Sequence, residues 1–282
     1  MFDTKERMHC YGIKPVKRLG QNFLIDNNIV EKIVDCAEID KDDLVIEVGP
    51  GLGVMTEALA NKAGYVIAIE IDQKLLEPLA LVTMKYSNIS VINKDVLKVN
   101  IFDEIKHLTD QYKKIKVVAN LPYYITTPVI MKFMEESIPK LDSMVFMVQQ
   151  EVGDRMTARP GGKEYGALSI AVGFYSKAKK LFSVPPTCFI PRPGVDSCII
   201  RLEVYDKPEI FVKDQEYFFK VVKGAFSQRR KTLANALTNA PYLDVNRETV
   251  YAALEFMEKN SMIRGETLTP EEFGVLSNYL YK

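Results

Sequence analysis

The chain has 282 residues, of which 47% are hydrophobic and 26% are charged. This composition is that of an ordinary soluble globular protein, and the length allows one large domain, or one plus a small appendage. The formal net charge is +0. Neutrality argues against a uniformly basic nucleic-acid binder, although it leaves room for segregated basic surfaces.

Membrane, secretion and metal-binding signals are missing from the sequence. No apolar run approaches the roughly 20 residues of a membrane helix, and the segment MFDTKERMHC lacks the apolar stretch of a signal peptide. We therefore expect a cytoplasmic protein that does not bind membranes. The two histidines lie far apart and the four cysteines lack C-x-x-C spacing, so we expect neither a metal site nor a disulfide framework. The cysteines are Cys10, Cys36, Cys188 and Cys198.

The N-terminal region predicts a loose arm followed by a helix. Residues 1–15 show no hydrophobic periodicity. Further along, Asp26 or Asn27 is placed to cap a helix in which apolar residues recur at helical spacing. The segment 21–24 between them mixes polar and apolar residues, and we expect it to be a non-helical link.

The stretch LVIEVGPGLG, residues 44–53, predicts the centre of the fold. Its apolar, β-branched first half is typical of a buried parallel strand, which here ends on the acid Glu47. Three glycines at every second position then form a loop in which a ligand can lie against backbone. The following helix would direct its N-terminal N–H groups toward that ligand. The spacing is G-x-G-x-G, and Val54 stands where a dinucleotide-binding loop requires a third small residue.

Further strand patterns follow, and acids stand at the ends of two of them. Glu70 lies about 20 residues past the first glycine, where a nucleotide-binding α/β fold places a carboxylate on ribose hydroxyls. Asp95 is placed to accept a hydrogen bond from a base amino group if the cofactor carries adenine. Strands that alternate with helices imply a doubly wound parallel sheet, whose ligand lies at the carboxyl ends of the strands. The predicted strands are 65–72, 89–93, 115–119 and 143–149.

The pattern becomes helical around residues 205–208, which divides the chain. We predict an α/β, Rossmann-like domain over residues 1–205, which would bind a cofactor and carry the chemistry, and a small all-helical domain over residues 206–282. Residues 217–243 contain no Asp or Glu, which suggests a face for phosphate. Ordinary solvated surfaces are the alternative for this region and for a second basic-biased region around 155–201. The candidate phosphate ligands are Lys220, Lys223, Arg229, Arg230 and Lys231.

Asn120-Leu121-Pro122-Tyr123 is the most specific chemical signal in the sequence. An exocyclic amine on a base is a poor nucleophile because its lone pair is delocalised into the ring. The side-chain oxygen of Asn120 and the backbone carbonyl of Leu121 could accept its two hydrogens and aim the lone pair at an electrophilic methyl group. Pro122 would stiffen the turn, and Tyr123 would offer a face for the base. The alternative is that Asn120–Tyr123 is only a structural turn at the end of a strand, where Asn and Pro are common.

A second aromatic residue, Phe189, stands in a proline-rich loop over residues 185–197. The prolines make an extended, rigid loop, from which Phe189 could clamp the other face of an extruded base. Stacking of that kind is worth about 1–3 kcal/mol per base. A role as a loop anchor in the core is the alternative for Phe189.

Taken together, these motifs resemble the KsgA family of small-subunit ribosomal RNA adenine dimethyltransferases. The motifs that carry the resemblance are KRLGQNFLID, IEVGPGLG, AIEID, NKDVL, ANLPYYITTPVI, MVQQEV, FIPRPGVDS and AFSQRRKTLANAL. The resemblance implies S-adenosylmethionine as the cofactor. It also implies transfer of two methyl groups to the 6-amino group of each of two adjacent adenosines near the 3′ end of the RNA.

The resemblance implies a role for each site residue. The cofactor's methionine end would lie against Asn22 and Leu24, its underside on Gly49 and Gly51, its ribose at Glu70 and its adenine at Asp95. Asn120 would touch both cofactor and target, and Tyr123 with Phe189 would hold the target base. The five cations named above would bind RNA.

Other functions fit parts of the sequence. Erythromycin-resistance methyltransferases share the glycine loop and Asn-Leu-Pro-Tyr but modify large-subunit RNA, and the segment FSQRRKTL favours the small-subunit branch. A non-catalytic ribosome assembly factor has no need of an intact Asn120–Tyr123 turn, and Val54 disfavours a nicotinamide oxidoreductase. The expected partner is small-subunit RNA or a pre-assembled small subunit, and we expect the protein to act as a monomer.

Overall fold

The computed structural model describes residues 4–136 and 138–281. The chain divides into two compact units, one of Met1–Gly153 with Lys179–Val204 and one of Asp154–Ala178 with Tyr205–Lys282. The predicted boundary after residue 205 lies within one residue of the last division. Residues 154–178, which the prediction placed in the α/β domain, group instead with the helices. Their aromatic side chains explain this, because Phe174 stacks on Phe218 with ring centroids 5.1 Å apart.

A seven-stranded sheet forms the centre of the first unit, with the strands in the order β4-β3-β2-β5-β6-β9-β7. The strands β2 to β6 run parallel to one another, which confirms the doubly wound fold. A separate pair, β1 with β8, is antiparallel. The strands are β1 (Phe23–Leu24), β2 (Asp43–Val48), β3 (Tyr65–Ile69), β4 (Ile89–Ile92), β5 (Lys114–Asn120), β6 (Leu141–Gln149), β7 (Ser176–Val184), β8 (Phe189–Ile190) and β9 (Ser197–Val204).

Strand order determines where a ligand can bind. The chain moves outward from β2 through β3 to β4, and then returns to the other side of β2 to form β5 and β6. The order therefore reverses between β2 and β5, and in open α/β sheets this switch point leaves a crevice at the carboxyl ends of the strands. Val48 pairs with Ala119 there, so the glycine loop and Asn120 leave the sheet side by side.

Strand β9 runs antiparallel to β6, with Ser197 opposite Gln149. Its start therefore lies at the edge where β6 ends. The sequence did not predict this direction, because β9 is buried on both faces, with Cys198, Ile199 and Ile200 all 0% exposed. Uniform burial removes the alternation that marks a half-buried antiparallel strand.

Helices cover this sheet, and the predicted cap of α2 is confirmed. The carboxylate of Asp26 accepts hydrogen bonds from the backbone N–H groups of Asn28 and Ile29, as an N-cap residue does. The helices are α1 (Thr4–Cys10), α2 (Asn27–Cys36), α3 (Val54–Lys62), α4 (Leu76–Thr83), α5 (Ile101–Ile105), α6 (Thr126–Glu135) and α7 (Gln150–Met156).

The prediction of a loose arm over residues 1–15 is wrong for most of that segment, while its first three residues lie outside the described ones. Helix α1 is anchored by two buried polar side chains. The Thr4 hydroxyl donates to the Leu24 carbonyl at 2.7 Å. Arg7 donates to the Leu52 carbonyl at 2.8 Å and pairs with the buried carboxylate of Glu57. A seven-residue helix held by polar contacts leaves no hydrophobic period to read in the sequence.

The second unit is helical, as predicted for its C-terminal part. Phe218 and Phe273 are fully buried in it, and Tyr165 donates from its hydroxyl to the Leu268 carbonyl at 2.8 Å. Across the described part of the chain, no helix combines the length and apolar character needed to cross a membrane. The helices of this unit are α8 (Ala167–Tyr175), α9 (Gln215–Ser227), α10 (Leu233–Thr238), α11 (Arg247–Phe256) and α12 (Pro270–Leu280).

Candidate active site

A cavity of about 280 Å³ opens at the carboxyl edge of the sheet. The loops after β2, β3, β4 and β5 line it, together with the segment Leu19–Leu24 that precedes α2. The structure thus brings together residues that are far apart in the sequence, such as Asn22 and Asn120, which are 98 positions apart. A doubly wound fold does this because its strand ends meet at one edge of the sheet. The predicted site residues that line this cavity are Asn22, Leu24, Gly49, Gly51, Glu70, Asp95, Asn120, Leu121, Pro122 and Tyr123.

The glycine loop forms one wall of the cavity, and Gly51 needs to be glycine on two grounds. Its φ is +58°, in the left-handed region. A Cβ at this position would also lie 3.3 Å from the ring of Phe23, which covers the loop. Backbone is therefore exposed to a ligand where a side chain would block it.

Glu70, which follows β3, lies beside this loop and is hydrogen-bonded to it. Its Oε2 accepts from the backbone N–H of Gly51 at 3.3 Å, and its Oε1 accepts from that of Asp72 at 2.7 Å. Burial raises the pKa of Glu70 to about 7, although both N–H groups oppose the rise. Each carboxylate oxygen can accept a second hydrogen bond, and vicinal hydroxyls of a ribose are donors of the required kind.

Glu47 is the most unusual acid in the protein. It is 0% exposed and lines the cavity, yet neither of its carboxylate oxygens has a hydrogen-bond partner among the described residues. Burial raises the pKa of Glu47 to about 8, and the charge of Glu70 adds to the rise. The Thr56 hydroxyl lies close enough to oppose the rise in part, but it does not reach hydrogen-bond geometry with the carboxylate. A buried carboxyl without a partner is costly, and a ligand that carries positive charge would relieve that cost.

Asp95 lies at the rim of the cavity. Its Oδ1 accepts from the backbone N–H of Leu97 at 3.0 Å, and its Oδ2 lies 3.7 Å from the Lys98 ammonium. Ile71 and Leu97, which are 51% and 37% exposed, line the same cavity. A carboxylate beside partly exposed apolar side chains suits a flat base with an amino group.

The segment that carries Asn22 is pinned over the cavity by Gln21. The Gln21 side chain donates to Asp72 Oδ2 at 2.8 Å and accepts from the backbone N–H of Val16 at 2.9 Å. The Asn22 side chain donates back to the Gly20 carbonyl at 3.3 Å. This segment is therefore an ordered wall, although its mixed sequence predicted only a link.

Asn120 is oriented by that wall. Its Nδ2 donates to the Asn22 backbone carbonyl at 3.3 Å. The amide nitrogen is thereby turned toward the protein, and Oδ1 is left as the atom that can accept from a ligand. No donor among the described residues bonds to Oδ1. The arrangement predicted from Asn-Leu-Pro-Tyr requires this oxygen to be available.

Tyr123 is positioned through its hydroxyl, which lies 2.7 Å from Oγ of Ser197. Ser197 is 0% exposed and begins β9, so the antiparallel direction of that strand brings it to this edge. Burial raises the pKa of Tyr123, while the Ser197 hydrogen bond lowers it. The phenol therefore stays neutral, and its ring is held at one end.

Phe189 is not brought to the cavity, which corrects its predicted role as a clamp in this state of the protein. It is 2% exposed and packs in the main core of the unit, where β8 pairs it with Leu24 of β1. The pairing of β8 with β1 anchors the loop and thereby holds the Phe189 ring in the core. The alternative interpretation, a core anchor, is the arrangement observed.

Comparison with known proteins now identifies the family. A family model described as ribosomal RNA adenine dimethylase matches residues 13–268. The chain belongs to this family. Among curated dimethylases, the ribosomal RNA small subunit methyltransferase A of Alkaliphilus oremlandii is 48% identical over 99% of this chain and 96% of the relative. That of Bacillus licheniformis is 49% identical over 98% of this chain and 95% of the relative.

Solved structures of related methyltransferases share this fold. A dimethyladenosine transferase from Plasmodium falciparum superposes with a TM-score of 0.74 and 27% identity, covering 90% of this chain and 95% of that one. The 23S rRNA methyltransferase ErmE gives a TM-score of 0.68 and 25% identity, covering 92% of this chain and 100% of that one. The Rossmann-like prediction and the family prediction are both confirmed.

The five basic residues predicted to bind RNA differ in their surroundings in this dimethylase. Lys220 pairs with Glu216 at 2.7 Å, and Lys223 lies 5.2 Å from the ring centroid of Tyr242. Arg229 donates to the backbone carbonyls of Lys163 and Tyr165 at 2.7 and 3.0 Å. In the described part of the chain, Arg230 and Lys231 are exposed and have no such partner.

Several residues that line or support the cavity were not predicted as site residues. Glu47 entered the sequence analysis only as the acid before the glycines in the motif IEVGPGLG, and Gln21 lies in the predicted link. Ser197 was read only as part of the family's FIPRPGVDS motif. Local sequence could not identify Gln21 and Ser197, because their partners are distant: 51 positions for Gln21 and Asp72, and 74 for Tyr123 and Ser197. Within the described residues, no cluster of three metal-ligating side chains occurs.

Proposed function

We propose that this dimethylase transfers methyl groups from S-adenosylmethionine to the 6-amino groups of two adjacent adenosines near the 3′ end of small-subunit ribosomal RNA. Such a reaction would produce dimethyladenosines during small-subunit biogenesis. The observation that carries the proposal is Asn120, whose Oδ1 is left available beside the glycine loop because its Nδ2 is engaged by Asn22. The names of the curated relatives support the choice of small-subunit RNA.

The residues around the cavity fit S-adenosylmethionine. Glu70 would accept from the ribose hydroxyls, Asp95 from the adenine amino group, and the glycine loop with Asn22 and Leu24 would enclose the methionine end. The unpartnered carboxyl of Glu47 provides the test of fit, since the cofactor's ammonium and sulfonium are the positive charges that this buried acid lacks. When bound, S-adenosylmethionine supplies a methyl carbon that the sulfonium makes electrophilic.

The target amine would be activated by position alone. Asn120 Oδ1 and the Leu121 carbonyl accept its two hydrogens, which draws the nitrogen away from planarity and directs its lone pair toward the methyl carbon. Tyr123, held by Ser197, presents its ring to the base, and Pro122 fixes the turn. Holding both reactants in line can lower a barrier by about 7–11 kcal/mol. The new nitrogen–carbon bond would form as the carbon–sulfur bond breaks, and the nitrogen would release one proton to water for each methyl group, so no acid–base triad is required.

A methyl-mapping experiment tests this function. Small and large ribosomal subunits that lack these modifications are incubated with the protein and S-adenosylmethionine labelled in its methyl group, and the labelled nucleotides are mapped. We expect label on the amino groups of two adjacent adenosines of small-subunit RNA. Label on large-subunit RNA would establish the erythromycin-resistance type of activity. The structural similarity to ErmE is the reason for including the large subunit in the test. Tight cofactor binding without transfer would establish an assembly factor.

The remaining parts of the proposal concern the setting of the reaction. We also propose that the protein acts as a monomer. The RNA or the pre-assembled small subunit would be the partner, and we place the reaction in the cytoplasm because small subunits are assembled there in bacteria such as those that supply the relatives. Sedimentation of the protein alone checks the monomer.

A further inference from the structure

Tyr124 is an aromatic residue for which the roles proposed above have no use. It follows Tyr123 directly and lines the cavity, but it is 61% exposed. Its hydroxyl has no hydrogen-bond partner among the described residues. Tyrosine combines an apolar ring with a polar hydroxyl and is enriched at interfaces for that reason, so an exposed tyrosine at the mouth of a cavity is a candidate contact for a bound molecule.

The ring of Tyr124 is held from below by Gly20. A Cβ on Gly20 would lie 3.0 Å from Tyr124 Cε1 and 3.2 Å from Pro122 Cβ, and the φ of Gly20 is +59°. Glycine therefore lets the backbone lie flat against the edge of the ring. Because Gln21 pins the same segment to Asp72, the ring is supported by an ordered part of the chain.

Two exposed cations stand next to this support. Gly20 closes the 3-10 turn Lys17–Leu19 through its N–H to the Lys17 carbonyl. Lys17 and Arg18 are both exposed, and neither has an ion-pair partner within the described residues. The turn that ends at Gly20 therefore carries two unpaired cations and supports an exposed ring. Proteins hold single-stranded nucleic acid with this combination of groups, with bases on the ring and phosphates on the cations.

We propose that Tyr124 stacks on the nucleotide next to the target adenosine, and that Lys17 and Arg18 bind the phosphates that flank it. The inference rests on the proposed function, since it takes the RNA strand at the cavity mouth as given. In a substrate with two adjacent adenosines, the nucleotide on Tyr124 is the second adenosine when the strand enters from that side. The platform would then hold one target while the other reacts.

Steady-state methyl transfer to unmethylated small subunits tests the platform. We expect Tyr124→Ala to raise KM about tenfold or more, in line with the loss of one stacked base. The kcat should change by less than about threefold, because the stacked base is not the one that reacts. Tyr124→Phe should restore KM because it keeps the ring, and Tyr124→Leu should not because it keeps only apolar bulk. S-adenosylmethionine affinity, measured separately by calorimetry, reports whether the cavity is intact.

The cations are tested by salt dependence. Lys17→Gln combined with Arg18→Gln should reduce the slope of log Kd for small subunits against log salt by about 1.4, from about 0.7 per phosphate contact on a single strand. Lys32→Gln is the matched control, since Lys32 is exposed on α2 and lies outside the cavity lining, and it should leave the slope unchanged.

The outcomes separate the two proposals. Wild-type protein that transfers no methyl group to either subunit overturns the proposed function and the platform with it. Wild-type activity together with an unchanged KM in Tyr124→Ala overturns the platform alone. Equal rescue by Tyr124→Leu and Tyr124→Phe would also overturn it, because stacking would then not be the interaction.

Discussion

The hydroxyl of Tyr123 lies 2.7 Å from Oγ of Ser197, a fully buried residue that is 74 positions further along the chain. This hydrogen bond orients the ring that we assign to the target base. Ser197 touches no substrate in this scheme and acts only through Tyr123. It is therefore a positioning residue.

A double-mutant cycle measures that role. Ser197→Ala and Tyr123→Phe should each lower kcat/KM about threefold to tenfold, since one hydrogen bond contributes about 0.5–1.5 kcal/mol. The double variant should lose no more than the worse single variant, because both changes remove the same bond. Ser183→Ala, at an exposed serine of β7, is the control. Fully additive losses would show that the two residues act independently.

The amide of Asn120 is expected to be essential for transfer and dispensable for cofactor binding. Asn120→Ala should reduce the rate of methyl transfer by about 100-fold or more, as removal of an oriented transition-state contact does, while S-adenosylmethionine affinity stays within about tenfold. Asn120→Asp keeps an acceptor oxygen but cannot donate to the Asn22 carbonyl, so its rate of methyl transfer should lie between those of the wild type and Asn120→Ala. Single-turnover transfer and calorimetry measure the two effects. Near wild-type dimethylation by Asn120→Ala would exclude the assigned role.

Glu47 should make the cofactor-free protein less stable as the pH rises. Its pKa is about 8 in the folded protein, well above its ordinary value in an unfolded chain, so the folded state holds a proton that the unfolded state has released. The free energy of unfolding should therefore fall by up to about 1.4 kcal/mol per pH unit between about pH 4.5 and pH 8. Glu47→Gln removes this contribution.

Urea titrations over that pH range provide the measurement. The wild-type curve should decline relative to that of Glu47→Gln, and the variant should be the more stable protein at pH 8. Glu31→Gln, at an exposed position of α2, serves as the control for loss of a negative charge. Parallel curves for wild type and Glu47→Gln would mean that the buried carboxyl does not hold its proton.

Helix α1 should contribute to stability through Arg7. Arg7→Ala leaves Glu57, which is 1% exposed, with the Lys85 ammonium at 3.3 Å as its one remaining ion-pair partner among the described residues. Leaving a buried charge without its main partner costs about 3–5 kcal/mol. Adding Glu57→Gln should recover part of the loss, whereas Lys5→Ala, exposed on the same helix, should cost little. A loss below about 1 kcal/mol in Arg7→Ala would show that this ion pair does not anchor the helix, and it would favour the prediction of a loose arm.

Arg230 and Lys231 should provide the phosphate contacts of the second unit. Replacing both with Gln should flatten the salt dependence of small-subunit binding, since each contact contributes about 0.7–0.9 to the slope. Arg229→Gln should instead lower the stability of the unit, because Arg229 holds the Lys163 and Tyr165 carbonyls. Filter binding and thermal unfolding distinguish the two. A slope that responds only to Arg229 would reverse this assignment.

The sheet and the glycine loop that forms one wall of the cavity could be predicted because their sequence signals are local. The run from Leu44 to Val48 and the glycines after it specify a strand and a loop within ten residues, and parallel sheets place strand ends at one edge. Glu70, Asp95 and Asn120 follow from that rule. The helical character of residues 206–282 follows from hydrophobic period.

Long-range polar contacts could not be predicted in this way. Arg7 with Glu57, Gln21 with Asp72 and Tyr123 with Ser197 pair residues whose neighbours in sequence carry no trace of the partner. The burial of Phe189 depends on its strand pairing with Leu24, and an aromatic residue among prolines looks the same whether it faces a core or a ligand. Tertiary context decided each of these cases.

The reversed direction of β9 limits how the loop before it can change in length. Side chains alternate between the faces of a strand, so inserting a single residue just ahead of Ser197 within the β6 pairing would turn its hydroxyl to the opposite face and put a neighbour in its place. An insertion of two would keep the face but move the hydroxyl by almost 7 Å along the strand. An insertion in the 191–196 connection should therefore be tolerated only where it leaves Ser197 opposite Gln149.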